Sequence, residues 1–149
     1  MKPSTGSDPP RLFIDTWGWL VLADASHPAR PQAISLRRHQ TDLGRAPVTT
    51  DYVLDEMITR LDARGPFTQA ERFCDGVFQE QRLGLLAVEP ITPERFRKAY
   101  QLRLRYRDKP RISFTDLTSF AVMRELGIRH ALTADQHFVQ AHLGFQILP

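Results

Sequence analysis

Hydrophobic and polar positions along the chain predict short strands separated by helices. Five short apolar stretches lie between turn-forming residues and have the length of buried strands. The predicted strands are residues 11–16, 46–50, 83–88, 130–133 and 145–148. The segments between them show helical spacing; Val53, Met57 and Leu61, for example, fall on one helical face. The predicted helices are residues 17–23, 33–43, 51–64, 68–81, 92–106, 115–126 and 136–142.

Local signals mark the starts of two of these helices. Thr92-Pro93-Glu94 is a favourable helix start, because a proline in the first turn sacrifices no backbone hydrogen bond. Thr68 and Glu71 have the spacing of a capping box, in which each side chain accepts a hydrogen bond from the other residue's free backbone N–H. We therefore expect the fourth helix to begin at Thr68.

Strands that alternate with helices predict an α/β fold, in which helices cover a parallel sheet through right-handed crossovers. Residues 11–149 would form this single domain, and the polar, proline-rich residues 1–10 would form a flexible N-terminal tail. In such a sheet the carboxyl ends of the strands and the N-termini of the helices meet at one edge. Open α/β folds bind their ligands at that edge.

Four acidic residues that are distant in sequence are expected at this edge. Asp15 ends the first strand, and Glu56 lies early in the helix after the second. Asp116 opens the helix before the fourth strand, and Asp135 follows that strand. Each aspartate could instead cap a helix, and the glutamate could be an exposed helix charge. Clustered carboxylates repel one another unless a cation lies between them, and all-oxygen ligands favour Mg²⁺ or Mn²⁺ over zinc.

Positive charge is concentrated just before Asp116. The formal net charge of the whole chain is +3, yet residues 94–111 contain eight Lys or Arg and two Asp or Glu. Such a block suits a polyanion such as RNA, although it could also be a solvated helix face. Lys109 and Arg111 are best placed to hold a phosphate. A broader basic track could be formed by Arg95, Arg97, Lys98 and Arg105, whereas Arg103 and Arg107 fall on the apparent apolar side of their helix.

Other kinds of site find little support in the sequence. Cys74 is the only cysteine, so an internal disulfide is excluded. The five histidines lack zinc-binding spacing, and we expect surface or capping roles for them. Neither a G-x-S-x-G motif nor a glycine-rich phosphate loop is present. No apolar run approaches the roughly 20 residues that span a membrane, and no signal peptide is evident, so we expect a cytoplasmic protein.

The acids lie in sequence contexts that resemble those of PIN-domain nucleases, particularly the VapC-type toxins of bacterial toxin–antitoxin pairs. The matching segments are Phe13-Ile14-Asp15-Thr16, Thr49-Thr50 with Val53-Leu54-Asp55-Glu56, Ser113-Phe114-Thr115-Asp116 and Thr133-Ala134-Asp135-Gln136-His137-Phe138. The last two are the most specific, and the resemblance covers about residues 11–148. The connection around residues 141–143 is slightly longer than usual, which does not affect the acids.

The resemblance implies a three-layer α/β/α fold with a five-stranded parallel sheet in the order 3-2-1-4-5. It also implies that the four acids hold Mg²⁺ or Mn²⁺ and that metal-activated water cleaves RNA. Thr16 or Thr133 would supply a hydroxyl near the site. The chain is therefore interpreted as a metal-dependent endoribonuclease and VapC-type toxin. The alternative is a catalytically inactive PIN-like module that binds RNA or protein, against which the presence of all four acids argues.

The partners implied by the resemblance are an RNA substrate, a cognate antitoxin and a second copy of the chain, with no membrane. In residues 17–23, Trp17, Leu20 and Val21 occupy neighbouring helical positions, and Trp19 lies off that row. This helix offers more apolar surface than one face needs, which predicts a protein interface. Ordinary core packing is the alternative.

Overall fold

The structure, a computed structural model, describes residues 11–149, so the predicted tail lies outside the described residues. The strands are β1 Leu12–Ile14, β2 Val48–Thr50, β3 Ala87–Glu89, β4 His130–Leu132 and β5 Gln146–Leu148. The helices are α1 Thr16–Ala23, α2 Arg30–Asp42, α3 Asp51–Arg64, α4 Phe67–Arg82, α5 Pro93–Arg105, α6 Phe114–Leu126 and α7 His137–Gln140. None of the described helices is long and apolar enough to cross a membrane.

All neighbouring strands are parallel, and their order across the sheet is β3-β2-β1-β4-β5. The predicted α/β/α class and strand order are thus confirmed. The central strand β1 pairs with β4 along its whole length, and all its residues are buried. Burial on both faces explains why this strand is continuously apolar rather than alternating. Each strand has only three residues and is shorter than predicted, because pairing with a neighbour, not apolar character, sets its ends.

Helix α1 is buried in the core. Trp19 is 0% exposed, Val21 1% and Leu20 5%. The indole N–H of Trp19 donates to the hydroxyl of Thr49 at 3.2 Å, and that hydroxyl donates to the carbonyl of Ile14 at 2.8 Å. These hydrogen bonds fix the helix to β1 and β2. The core-packing alternative is therefore correct for Leu20 and Val21, whereas Trp17, the first residue of the predicted row, is only half-buried.

Gly18 allows α1 to approach the end of β4 closely. A Cβ atom at this position would lie 2.6 Å from the carbonyl oxygen of Leu132 and 2.9 Å from its Cγ. The same carbonyl accepts the backbone N–H of Asp15 at 3.3 Å. The start of α1 and the end of β4 are consequently held together by a backbone contact that leaves no room for a side chain.

One of the two predicted helix starts is confirmed. The side chain of Thr92 caps α5 by accepting a backbone hydrogen bond, with proline in the first turn. The capping box predicted at Thr68 and Glu71 is wrong, because α4 begins at Phe67 directly after Pro66 and has no side-chain cap. The proline's fixed backbone angle favours starting the helix one residue before the threonine.

Candidate active site

The predicted acids line one cleft at the carboxyl edge of the sheet. Asp15 follows β1, and Asp135 follows β4 after a short turn. Glu56 projects from α3, and Asp116 lies in the first turn of α6. The cleft has a volume of about 380 Å³. It is also lined by Thr16, Trp17, Arg60, Arg111, Ser113, Ala134 and His137. The topology of the sheet thus brings all four acids to one cleft, as the sequence predicts.

Asp15 is buried and is not a simple helix cap. It is 5% exposed, and although it occupies the N-cap position of α1, its side chain makes no capping hydrogen bond. The hydroxyl of Thr133 instead donates to Asp15 Oδ2 at 2.8 Å. Burial, assisted by the charge of Asp116, raises the pKa of Asp15 from 3.8 to about 7, against the opposing effect of the Thr133 hydrogen bond. The ionised form of Asp15 is therefore disfavoured in this cleft.

Thr133 holds two of the acids in position. While its hydroxyl donates to Asp15, the hydroxyl oxygen accepts the backbone N–H of Asp135 at 3.0 Å. Thr133 is only 1% exposed, so it lies behind the acids rather than at the surface of the cleft. Thr16 does line the cleft, and its buried hydroxyl oxygen has no hydrogen-bond partner in the described part of the chain. Of the two predicted threonines, only Thr16 is therefore among the residues that line the cleft.

Asp116 is both part of a helix cap and part of the cleft. Ser113 and Asp116 form a capping box: the backbone N–H of Asp116 donates to Ser113 Oγ at 3.0 Å, and the N–H of Ser113 donates to Asp116 Oδ2 at 3.4 Å. Burial and the charge of Asp135 raise the pKa of Asp116 to about 6, while contact with His137 opposes this shift. The capping interpretation is therefore partly correct and does not exclude a role in the cleft.

His137 is a cleft residue that the sequence prediction missed. Its Nδ1 lies 3.3 Å from Asp116 Oδ2 and 3.2 Å from Asp135 Oδ1. The surface or capping role expected for the histidines is wrong for this one. The only signal in the sequence was its position two residues after Asp135, within the segment that resembles the PIN family.

Two arginines supply positive charge to the cleft. Arg111 lines it as predicted, and Arg60, one helical turn after Glu56, was missed. The guanidinium of Arg60 lies 2.8 Å from Glu56 Oε1. Lys109 is outside the set of cleft-lining residues, and its ammonium group instead lies 3.1 Å from Asp108 Oδ2. Of the two predicted phosphate-binding residues, the structure therefore places Arg111 beside the acids.

The basic block divides into structural and exposed residues. Arg95 is almost buried and pairs with Glu89 and Glu125, so its prediction as part of an open RNA track is wrong. Arg103 donates to the carbonyl groups of Tyr106, Lys109 and Ile112. This explains why Arg103 lies on the less exposed side of α5: it fixes the loop that leads to α6. The exposed members of the predicted track are Arg97, Lys98 and Arg105.

Comparison with known proteins decides the family. The family model of the PIN domain matches residues 12–142, nearly the whole chain. The chain belongs to the PIN-domain family. Its resemblance to VapC-type members is also confirmed, since this PIN domain is 29% identical to the 23S rRNA-specific endonuclease VapC20 of Mycobacterium tuberculosis. That alignment covers 87% of this chain and 93% of VapC20.

Solved structures agree with this assignment. The crystal structure of Mycobacterium tuberculosis VapC20, described as a sarcin–ricin loop cleaving toxin, matches with a TM-score of 0.74 at 29% identity, covering 91% of this chain and 96% of that one. The DNA-bound VapBC structure from Salmonella typhimurium matches with a TM-score of 0.64 at 16% identity, covering 94% and 98%. The second comparison shows the PIN fold alone.

The donor groups in the PIN domain's cleft fit a divalent cation. Asp116, Asp135 and His137 each offer one ligand atom, and these atoms lie within 4.8 Å of one another. Asp15 lines the same cleft, where burial disfavours its ionised form. A cation between these groups would remove both the mutual repulsion and part of the cost of burial.

Proposed function

We propose that the protein is a Mg²⁺- or Mn²⁺-dependent endoribonuclease and the toxin of a VapC-type toxin–antitoxin pair. The observation that carries this proposal is the burial of Asp15 in the same cleft as Asp116 and Asp135. A protein that used these residues only as caps would gain nothing from burying them together, since burial and neighbouring carboxylate charge raise the pKa values of Asp15 and Asp116.

Asp15, Asp116 and Asp135 would hold the cation, and Glu56 would complete its surroundings or orient water. A bound divalent cation supplies a water of lowered pKa and neutralises charge on the scissile phosphate. The protein positions these groups through hydrogen bonds with neighbouring backbone and hydroxyl groups. Thr133 fixes Asp15 and the turn before Asp135, and the Ser113 cap fixes Asp116.

The remaining cleft residues would bind the RNA backbone. Arg111 and Arg60 provide guanidinium groups that suit phosphate oxygens, and such groups can bind them in pairs of hydrogen bonds. Arg60 would exchange its contact with Glu56 for a phosphate when RNA enters. Thr16, whose hydroxyl has no hydrogen-bond partner among the described residues, lines the same cleft and would contact the substrate there. Together they hold the scissile bond beside the acids.

The relatives suggest the substrate class and the partner. VapC20 is named for its action on 23S rRNA and described as cleaving the sarcin–ricin loop. We propose that this chain also cuts a structured loop in large ribosomal RNA. The VapBC structures from Salmonella typhimurium and Rickettsia felis among the structural neighbours support an antitoxin as its protein partner. A homodimer stays a prediction, and light scattering on the purified chain tests it.

The deciding experiment is cleavage of 23S rRNA and of an RNA stem–loop by the purified protein, with added Mg²⁺ or Mn²⁺ or with chelator. We expect cleavage only with the cation, leaving a 5′-phosphate and a 3′-hydroxyl, because water would be the attacking group and the 3′-oxygen the leaving group. Asp15→Asn should lose turnover without losing thermal stability, and the exposed Asp55→Asn on α3 should keep both.

Cyclic-phosphate ends, or full turnover in Asp15→Asn, would refute the metal-nuclease assignment. Binding of RNA by the parent protein without any cleavage would instead favour the catalytically inactive module.

A further inference from the structure

The imidazole of His137 lies where the carboxylates of Asp116 and Asp135 converge. Its Nδ1 is 3.3 Å from one carboxylate oxygen and 3.2 Å from the other, and all three ligand atoms fall within 4.8 Å of one another. The side chain is 25% exposed, so it faces the cleft and is not sealed in the core. One nitrogen and two oxygens therefore surround a single point.

The position of this imidazole is fixed by the protein around it. The backbone N–H of His137 donates to Asp135 Oδ1 at 2.9 Å, in the turn that the hydroxyl of Thr133 also holds. The next residue, Phe138, is fully buried and packs edge-on against Phe120 of α6, with ring centroids 4.9 Å apart. This packing anchors α7 to the helix that carries Asp116. The nitrogen is thus held beside both carboxylates by the same contacts that build the cleft.

We propose that His137 is a nitrogen ligand of the bound cation and that it shifts the preference of the site toward Mn²⁺ over Mg²⁺. This inference rests on the proposed function, since it concerns the same metal site. Mg²⁺ binds almost entirely through oxygen and keeps much of its water, so an imidazole contributes little to its affinity. Transition metals accept imidazole nitrogen readily, and Mn²⁺ also accepts the carboxylates that make up the rest of the site.

A different role for His137 would give a different pattern. If the imidazole only formed hydrogen bonds to Asp116 and Asp135, its removal would disturb the carboxylates equally for either cation. The affinities for Mg²⁺ and Mn²⁺ would then fall by the same factor. A direct ligand contributes unequally to the two cations, so the ratio of the two affinities separates the roles.

The experiment is calorimetric titration of the metal-free protein with MnCl₂ and with MgCl₂, in the absence of RNA. In His137→Gln the ratio of Mn²⁺ to Mg²⁺ affinity should fall roughly tenfold. The matched control is His39→Gln on α2, where the exposed imidazole is remote in sequence from the acids, and the parent ratio should be retained. Melting curves in chelator confirm that both variants are folded.

Pulsed electron paramagnetic resonance of bound Mn²⁺ gives a second measurement that needs no substitution. The parent protein should show coupling from a directly bound nitrogen, and labelling its histidines with ¹⁵N should change that coupling. Mn²⁺ binding without nitrogen coupling, together with an unchanged affinity ratio in His137→Gln, would overturn this inference and leave the proposed nuclease intact. A parent protein that binds neither cation would overturn both.

Discussion

Replacing Asp15 with Asn should change the stability of the metal-free protein in a pH-dependent way. Folding raises the pKa of this carboxyl from 3.8 to about 7, chiefly because it is buried. The folded state therefore favours the protonated form. The contribution of Asp15 to stability is fully present below about pH 4 and is lost as pH rises through about 7. Asn has no proton to lose, so its contribution stays constant.

The size of the effect follows from the two pKa values. A carboxyl whose pKa rises on folding from 3.8 to about 7 lowers the free energy of unfolding by about 4 kcal/mol, once it is ionised in both the folded and the unfolded protein. About 3 kcal/mol of this cost develops between about pH 5 and pH 8. For a chain of 149 residues each kcal/mol moves the melting temperature by about 3 °C. The advantage of Asp15→Asn over the parent should thus grow by about 9 °C across that range.

The assay is thermal unfolding of the parent, Asp15→Asn and the exposed control Asp55→Asn, in chelator, at several pH values. The hydroxyl of Thr133 can still donate to the Asn oxygen, so the variant loses charge rather than packing. Saturating Mg²⁺ should reduce the advantage, because it stabilises the parent more than a variant that lacks one of the proposed ligands. A difference in melting temperature that does not vary with pH would refute the argument, as would a variant less stable than the parent throughout.

Three other perturbations test separate parts of the molecule. Mg²⁺ or Mn²⁺ should raise the melting temperature of the parent, and Asp116→Asn should lose most of that rise, because only the native site binds the ion. In RNA titrations at several salt concentrations, Arg111→Ala should reduce the slope of log affinity against log salt by about one. Lys109→Ala should reduce it less, and two unchanged slopes would make the basic block a solvated surface. Arg103→Gln should lower the free energy of unfolding in urea by about 3 kcal/mol, because three carbonyl groups lose a charged donor. A decrease smaller than the experimental error would show that other contacts hold the loop before α6.

The sequence predicted the succession of elements well, because hydrophobic periodicity and turn residues act locally. The strand order came from the family resemblance. The predictions that were wrong concern positions where neighbouring residues compete or where tertiary packing decides burial. Thr68 and Glu71 have the spacing of a capping box, but Pro66 starts the helix at Phe67. The helix at 17–23 looked too apolar for one face, and only the tertiary structure shows that the surrounding strands and helices bury it.

The acids of the site were predictable because parallel topology carries them to one edge. Contacts that depend on side-chain conformation were not. A one-dimensional pattern shows Arg95 as one more positive charge, whereas the fold gives it two glutamate partners. His137 was missed because the spacing of the histidines indicates a site only when several histidines form it. Here the neighbouring candidate ligands are carboxylates from other parts of the fold.

Gly18 lies outside the cleft, yet it sets the distance between two of the backbone segments that form the cleft. Its missing side chain lets α1 lie against the Leu132 carbonyl that also holds the backbone of Asp15. Even alanine at this position would force the two backbone segments apart and move Asp15 relative to Thr133. In a genetic screen for variants without ribonuclease activity, substitutions of this glycine should therefore be recovered alongside substitutions of the acids, although glycine offers neither charge nor a polar side chain. Such a screen would report a steric requirement of the scaffold as if it were a catalytic one.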